Sequence, residues 1–329
     1  MSAVMPVALD AMGGDFAPKE VVAGAKKAFE EYSIESLLVG DEAILAEFEK
    51  GSLGTFHASE SIAMDEDPAK SVRNKKDSSL VRCAELVKNG TCSATISAGN
   101  TGAAMAAALF KIGRIKGVSR PAIATTIPIV GNHPLVMLDS GANAECQSDW
   151  LVQFAQMGSV YSSVRYGISK PKVALLSIGE EPTKGNPLIK ETHKKLAEMD
   201  NKPFEFIGNV EGRDLLNAVA DVVVTDGFTG NVALKTLEGS LKFFMKMLLN
   251  IMNTNDETKK AQDVLLNYLL PVANELDPEA TGGAMLLGID GICIISHGSS
   301  SARAITNALR VADELNKADI ISRLKEAVN

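Results

Sequence analysis

Cysteine is scarce in this 329-residue chain: Cys83, Cys92, Cys146 and Cys293 are scattered, with no C-x-x-C pair. That spacing excludes a disulfide framework and a cysteine zinc cage, and it predicts a reduced, cytoplasmic protein. No H-E-x-x-H motif or His/Cys cluster occurs either, so no metal is expected. Aromatic residues are few, at 5%. Positive charge is in deficit, 33 basic against 41 acidic side chains for a net charge of −8, which argues against nucleic acid as a partner. Long apolar runs are missing too. Asn89 to Phe110 carries no charge, but Gly, Asn, Thr and Ser fill its middle, which hydrocarbon does not tolerate. Met1 to Asp10 lacks a basic segment and reaches an acidic residue early, so it reads as a first strand and not as a secretory signal.

What is present is the composition of a soluble globular protein, 46% hydrophobic and 22% charged. Short β-branched or apolar runs alternate with amphipathic helical stretches, which predicts a mainly parallel sheet covered on both faces. The expected strands are Val4 to Leu9, Ser36 to Val39, Ala94 to Ser97, Ala122 to Ile127, Leu135 to Leu138, Val173 to Ile178, Phe204 to Ile207, Val222 to Thr225 and Ile292 to Ser296. Most end in a Gly-rich turn: Asp10 to Asp15, Ala98 to Ala103, Asp139 to Asn143, Gly179 to Asn186, Asp226 to Asn231 and His297 to Ser301. In a parallel sheet all six share one edge, where helix N-termini offer free N–H groups to an anion. No linker or repeat divides the chain, so residues 1–329 are expected to form a single α/β domain. Two helical stretches in succession break the alternation, and residues 236–278 are expected to protrude as a helical hairpin.

Standard nucleotide and nucleophile motifs do not appear. There is no G-x-x-x-x-G-K-[ST], the first turn is not G-x-G-x-x-G, and the Ser299 to Ser301 run lacks the G-x-S-x-G elbow. Cys146 has no histidine near it in sequence and reads as a packing residue.

The runs DAMGGDFAPKEVVAGA, SAGNTGA, RPA at Arg120 to Ala122, LDSGAN, IGEEPTKG, GNVEGRD, DGFTGNVALKTLEG and GGAMLLGIDG...HGSSS resemble the PlsX phosphate acyltransferase family, in the same order, over residues 4 to about 310. The resemblance implies a three-layer Rossmann-like αβα fold of the isocitrate/isopropylmalate dehydrogenase type and a homodimer. It implies transfer of a long-chain acyl group from acyl carrier protein to inorganic phosphate, giving acyl phosphate for a membrane acyltransferase of phospholipid synthesis, with no cofactor. Departures fall at Ser177, Thr225 and Met285, where the family often carries Asn, Cys and Pro. A phosphotransacetylase acting on short acyl-CoA is the nearest alternative. A decarboxylating NAD-dependent dehydrogenase would need a metal held by carboxylates, and a non-catalytic membrane scaffold leaves the polar turns unexplained.

On this reading the candidate catalytic residues are Lys184, Asn100, His297 and Asp226. Gly99, Thr101, Gly102, Gly227, Asn231, Asp139, Asn143, Gly13, Gly14 and Ser299 are candidates for binding substrate or phosphate. Phosphate is expected on Asn100, Thr101 and Asn231, with Lys184 as the charged ligand of phosphate or oxyanion. Three readings stand for Asp139 and Asp226: orienting these donors, accepting the thiol proton in the reverse reaction, or bonding only to their own turn amides. His297 either donates at the reacting centre or ties its loop together. An acidic carrier protein needs a local basic patch, and two exist: Arg73, Lys75 and Lys76, and Lys111, Arg114, Lys116 and Arg120. The hairpin has one polar stripe, Lys242, Lys246, Asn250 and Asn253, and is apolar around the rest of its circumference. A surface helix needs only an apolar stripe about 100° wide. The excess predicts a dimer interface, with a tip that touches membrane transiently, a packed core pair being the alternative.

Overall fold

Runs of β-branched and aliphatic residues form the strands where both sheet faces are covered. The computed structural model describes residues 5–48 and 51–328; Val4, where the first strand was expected to begin, lies outside them. The strands are β1 Val7–Asp10, β2 Ser36–Gly40, β3 Gly54–His57, β4 Ala94–Ser97, β5 Ala122–Ile127, β6 Leu135–Leu138, β7 Lys172–Leu176, β8 Glu205–Val210, β9 Val222–Val224, β10 Ala284–Leu287 and β11 Ile292–Ile295. The helices are α1 Lys19–Tyr32, α2 Glu42–Ala46, α3 Pro68–Asn74, α4 Ser79–Lys88, α5 Thr101–Ala107, α6 Ser148–Tyr166, α7 Pro187–Glu198, α8 Gly227–Met252, α9 Asp256–Glu275, α10 Ala302–Lys317 and α11 Ile320–Val328. All strands join one sheet in the order β3-β2-β1-β4-β11-β10-β5-β6-β9-β7-β8.

The sheet is less parallel than expected. β10 runs antiparallel to both β11 and β5, and β5 antiparallel to β6. These reversals make β6, β7, β8 and β9 run opposite to β1, β2, β3, β4 and β11. The six Gly-rich turns therefore do not share one edge: those after β1, β4 and β11 lie at one edge, and those after β6, β7 and β9 at the other. The run read as Val173 to Ile178 stops at Leu176, and Ile178 is 81% exposed because the chain turns outward into the 179–186 loop.

The core is asymmetric across the sheet. On one face a single cluster runs from Val7 and Leu38 to Val173 and Val224, covered by α1, α6, α7, α10 and α11. On the other face it is broken. One part, with Ile123 of β5, lies under α4 and α5, and another, with Ile127 of β5, lies under the first turns of α8. Alternation along β5 puts Thr125 on this face, between Ile123 and Ile127. Thr125 is half-buried and belongs to neither cluster. Thr125, paired with the fully buried Met137 of β6, marks the boundary between the two parts.

After Leu237, which packs on the core, no residue of α8 is buried until Met252, and none of the described residues of α9 is buried. The two helices turn at Asn253–Asn255, where the Asn255 side chain caps α9 by accepting the Glu257 and Thr258 N–H groups. The helical segment begins at Gly227, nine residues before the expected start of the hairpin at Thr236.

Candidate active site

The turns at the first edge are organised by Asp10, which ends β1 and is 3% exposed. Its carboxylate accepts from Ser79 Oγ at 2.6 Å and Ser97 Oγ at 2.7 Å, and Ser97 Oγ in turn accepts the Gly99 N–H at 3.0 Å. Burial pushes the Asp10 pKa up, while these hydroxyls and the Met12 N–H pull it down. Gly13 is required by contact: a Cβ there would lie 2.4 Å from Asp10 Oδ2 and 2.9 Å from Gly99 N. Gly14 adopts φ +113° beside the Gly298 carbonyl, which also accepts the Asp15 N–H at 2.7 Å. Neither Ser79 nor Ser97 stood out in the sequence, because nothing local marks a hydroxyl whose partner is 69 or 87 residues away.

Asn100 does not have a free amide. Its Oδ1 caps α5 by accepting the Ala103 N–H at 3.0 Å, and its Nδ2 donates to the carbonyls of Met64 at 3.0 Å, Glu66 at 3.1 Å and Ala63 at 3.4 Å. It anchors the 63–66 loop, and among its neighbours only Thr101 keeps an exposed, unpartnered hydroxyl. Gly102 fits against Pro68, whose Cγ would be 2.6 Å from an added Cβ. His297 Nδ1 lies 2.8 Å from Ser299 Oγ and accepts the Ser299 N–H at 3.3 Å. The other ring nitrogen, Nε2, has no partner among the described residues.

At the second edge Asp139 is fully buried and saturated. Oδ1 accepts the N–H groups of Ile123, Gly141 and Ala142, and Oδ2 accepts both the N–H and the side-chain amide of Asn143, at 2.7 and 2.8 Å. Desolvation raises its pKa against these bonds. The Asn143 amide also donates to the Pro121 carbonyl at 2.8 Å. Asp226 caps α8, accepting from Thr229 N and Oγ1, each at 2.8 Å. Gly227 and Gly230 let α8 approach the 139–143 turn: added Cβ atoms would lie 2.6 Å from the Asn143 carbonyl and 2.0 Å from the Asp139 carbonyl. Asn231 lies against Gly141, about 3.8 Å from a Cβ placed there, and its amide has no partner among the described residues. Lys184 is exposed and crosses Gly179, and its ammonium has no partner among the described residues either. Asn209, in the GNVEGRD run, holds this loop by donating to the Glu181 carbonyl at 2.9 Å. Its Oδ1, with Ser177 Oγ and Thr225 Oγ1, is buried without a partner.

Burial pushes the Cys146 thiol up to about 12, so it is not a thiolate at neutral pH. Ala142 packs on the cluster under α5, and Gly141 faces Asn231 of α8. The structure therefore divides the candidates. Asp139, Asn143, Asp226 and Asn100 build turns, and Lys184, Asn231, Thr101 and His297 Nε2 keep polar atoms available.

Residues 5–323 match the model of a family described as fatty acid synthesis protein. The chain is 48% identical over 338 aligned positions to a phosphate acyltransferase of Elusimicrobium minutum, covering 98% of this chain and 96% of that protein. It is 45% identical to a phosphate acyltransferase of a Geobacillus species, with 98% of each covered. Among solved structures, a phosphotransacetylase from Streptococcus pyogenes superposes with a TM-score of 0.63 at 17% identity, over 98% of this chain and 95% of that one, a likeness of fold alone. Family match, identity over nearly the whole length and the motif order agree, and the chain belongs to the fatty acid synthesis protein family of PlsX-type phosphate acyltransferases.

Proposed function

We propose that this enzyme transfers a long-chain acyl group from acyl carrier protein to inorganic phosphate at its Gly-rich turns. The carrying observation is the division of labour just described: saturated carboxylates and amides hold the turns, while of the candidate residues Lys184, Asn231, Thr101 and His297 Nε2 keep polar atoms without a partner among the described residues.

That inventory suits the reaction. A phosphate oxygen attacks the thioester carbonyl carbon, the carbon–sulfur bond breaks, and the thiol leaves as thiolate or takes a proton. With a thiol pKa of about 8.5 the leaving group needs little help. The protein must hold phosphate against the carbonyl and stabilise the tetrahedral oxyanion, for which one donor contributes roughly 2.7 to 4 kcal/mol. Lys184 and Asn231 are the donors to phosphate or oxyanion at the second edge, and Thr101 and His297 those at the first. Asn100, Asp139 and Asp226 act as positioning residues instead of the direct roles first expected for them.

No covalent acyl-enzyme forms in this scheme. The test is the intact mass of the protein after quenching with palmitoyl carrier protein in the absence of phosphate. An unchanged mass supports direct attack, and a stable acyl adduct on Cys146 or Ser299 contradicts it.

The hairpin supports two further elements. Phe243 is 70% and Tyr268 74% exposed, and Phe244, Ile251 and Val264 are also exposed. Among the described residues no helix is long and apolar enough to cross a membrane. Such a surface suits a homodimer interface whose tip touches anionic lipid beside Lys242 and Lys246, handing acyl phosphate onward without release into water.

A further inference from the structure

We propose that the surface formed by α3, Lys76 and Phe110 is where the acidic acyl donor docks, with a face of carboxylates meeting Lys70, Arg73 and Lys76. The inference rests on the reading of a carrier-protein donor above.

An enzyme with a net charge of −8 repels an acidic protein except where unpaired cations are grouped on one exposed surface. Of the two basic groups seen in the sequence, the one at residues 111–120 is largely committed internally. Lys111 pairs with Glu85 at 2.7 Å, Arg114 donates to the carbonyls of Val118 and Ser119, and Arg120 stacks on Trp150 at 5.1 Å.

The group at α3 differs. Lys75 is held by Glu66 at 2.6 Å and by the Ser61 carbonyl at 2.8 Å. Lys70 and Lys76 are exposed and have no ion pair among the described residues. Arg73 stacks on Phe110 at 5.2 Å, and Phe110 is itself 50% exposed in the π-turn Ala108–Ile112 that follows α5. Stacking engages the guanidinium face and leaves its N–H edge for carboxylates. Of the nearby acids, Glu66 pairs with Lys75 and Asp77 with Arg82, while Asp67, the N-cap of α3, and Glu60, which accepts the Asp77 N–H, keep their charge, as does Asp65. Lys70 and Arg73, at i and i+3, share one face of α3, with Lys76 just beyond its end, and this grouping of open cations is what the surface offers.

This surface also abuts the candidate site. The 63–66 loop leading into α3 hangs on Asn100, Pro68 packs on Gly102, and Met64 Cε lies 3.0 Å from where a Cβ on Gly298 would sit. A partner seated here delivers its thioester arm beside Thr101 and His297.

The experiment compares wild type with K70E/R73E/K76E and with K116E, measuring binding of holo carrier protein by fluorescence anisotropy and turnover of palmitoyl carrier protein and palmitoyl-CoA. The expected result is at least tenfold weaker binding and a tenfold higher KM for the carrier substrate in the triple variant. Palmitoyl-CoA turnover and K116E stay at wild-type values. Added salt weakens wild-type binding as the triple substitution does. Unchanged binding, or equal losses with both donors, overturns the proposal. Should the triple variant not fold, K70A/K76A and the salt series give the same test. If carrier protein binds through these residues yet no acyl phosphate forms from it, docking stands and the assigned reaction falls.

Discussion

Asp139 Oδ2 accepts two hydrogen bonds from Asn143, one from its backbone N–H at 2.7 Å and one from its side-chain amide at 2.8 Å. A buried carboxylate filled in this way is a brace for the 139–143 turn. In Asp139→Asn the new amide donor faces donors. Leaving those groups unsatisfied costs roughly 1–3 kcal/mol, read as a shift in urea unfolding. Because burial raises the Asp139 pKa above its ordinary 3.8, the folded state holds this proton more tightly than the unfolded chain. Stability from this group is therefore largest at low pH and declines as pH rises through the raised value. The gap between wild type and the variant narrows in that direction.

Two helix glycines in α8 should respond in opposite ways to the same change. A Cβ on Gly230 falls 2.0 Å from the Asp139 carbonyl oxygen, whereas one on Gly239 meets nothing within 4 Å. Gly230→Ala should displace α8 from the 139–143 turn, with loss of activity and a lower melting temperature. Gly239→Ala should stabilise slightly, by up to about 1 kcal/mol. Thermal melts of the two variants in parallel check both.

Much of the strand layout is legible in the sequence: Ala94–Ser97, Ala122–Ile127 and Leu135–Leu138 fall where their β-branched runs lie. β3 escapes notice because GTFH, half-exposed on the sheet edge, has no apolar pattern, and β10 because AMLL sits between glycines within a run read as a motif. Strand direction is not legible, since the reversal at β5 and β10 depends on which distant strands pair. The same holds within the site. The glycine positions and the open Lys184 follow from local sequence, but the loss of Asn100 as a phosphate donor depends on carbonyls 34 to 37 residues upstream.

Lys184 is exposed, with its ammonium unpartnered among the described residues, so its loss should cost chemistry and not folding. Lys184→Ala should lower kcat by about 10²-fold or more with an unchanged unfolding midpoint, as for one lost charged donor at an oxyanion. Unchanged turnover would make it a surface lysine.

Leu249 and its half-buried neighbour Leu248 lie on the part of α8 that packs on no core. Replacing both by Glu should abolish dimers in analytical ultracentrifugation and binding to anionic liposomes in flotation. Persistence of both would leave the hairpin without the assigned role.

The most direct measurement is mass spectrometry of the products formed from palmitoyl carrier protein and inorganic phosphate, with palmitoyl-CoA and acetyl-CoA run alongside. The expected result is palmitoyl phosphate and free carrier thiol, with little acetyl phosphate from acetyl-CoA. Acetyl phosphate as the main product, with palmitoyl carrier protein left intact, would contradict long-chain transfer to phosphate and assign the site to a short-chain phosphotransacetylase.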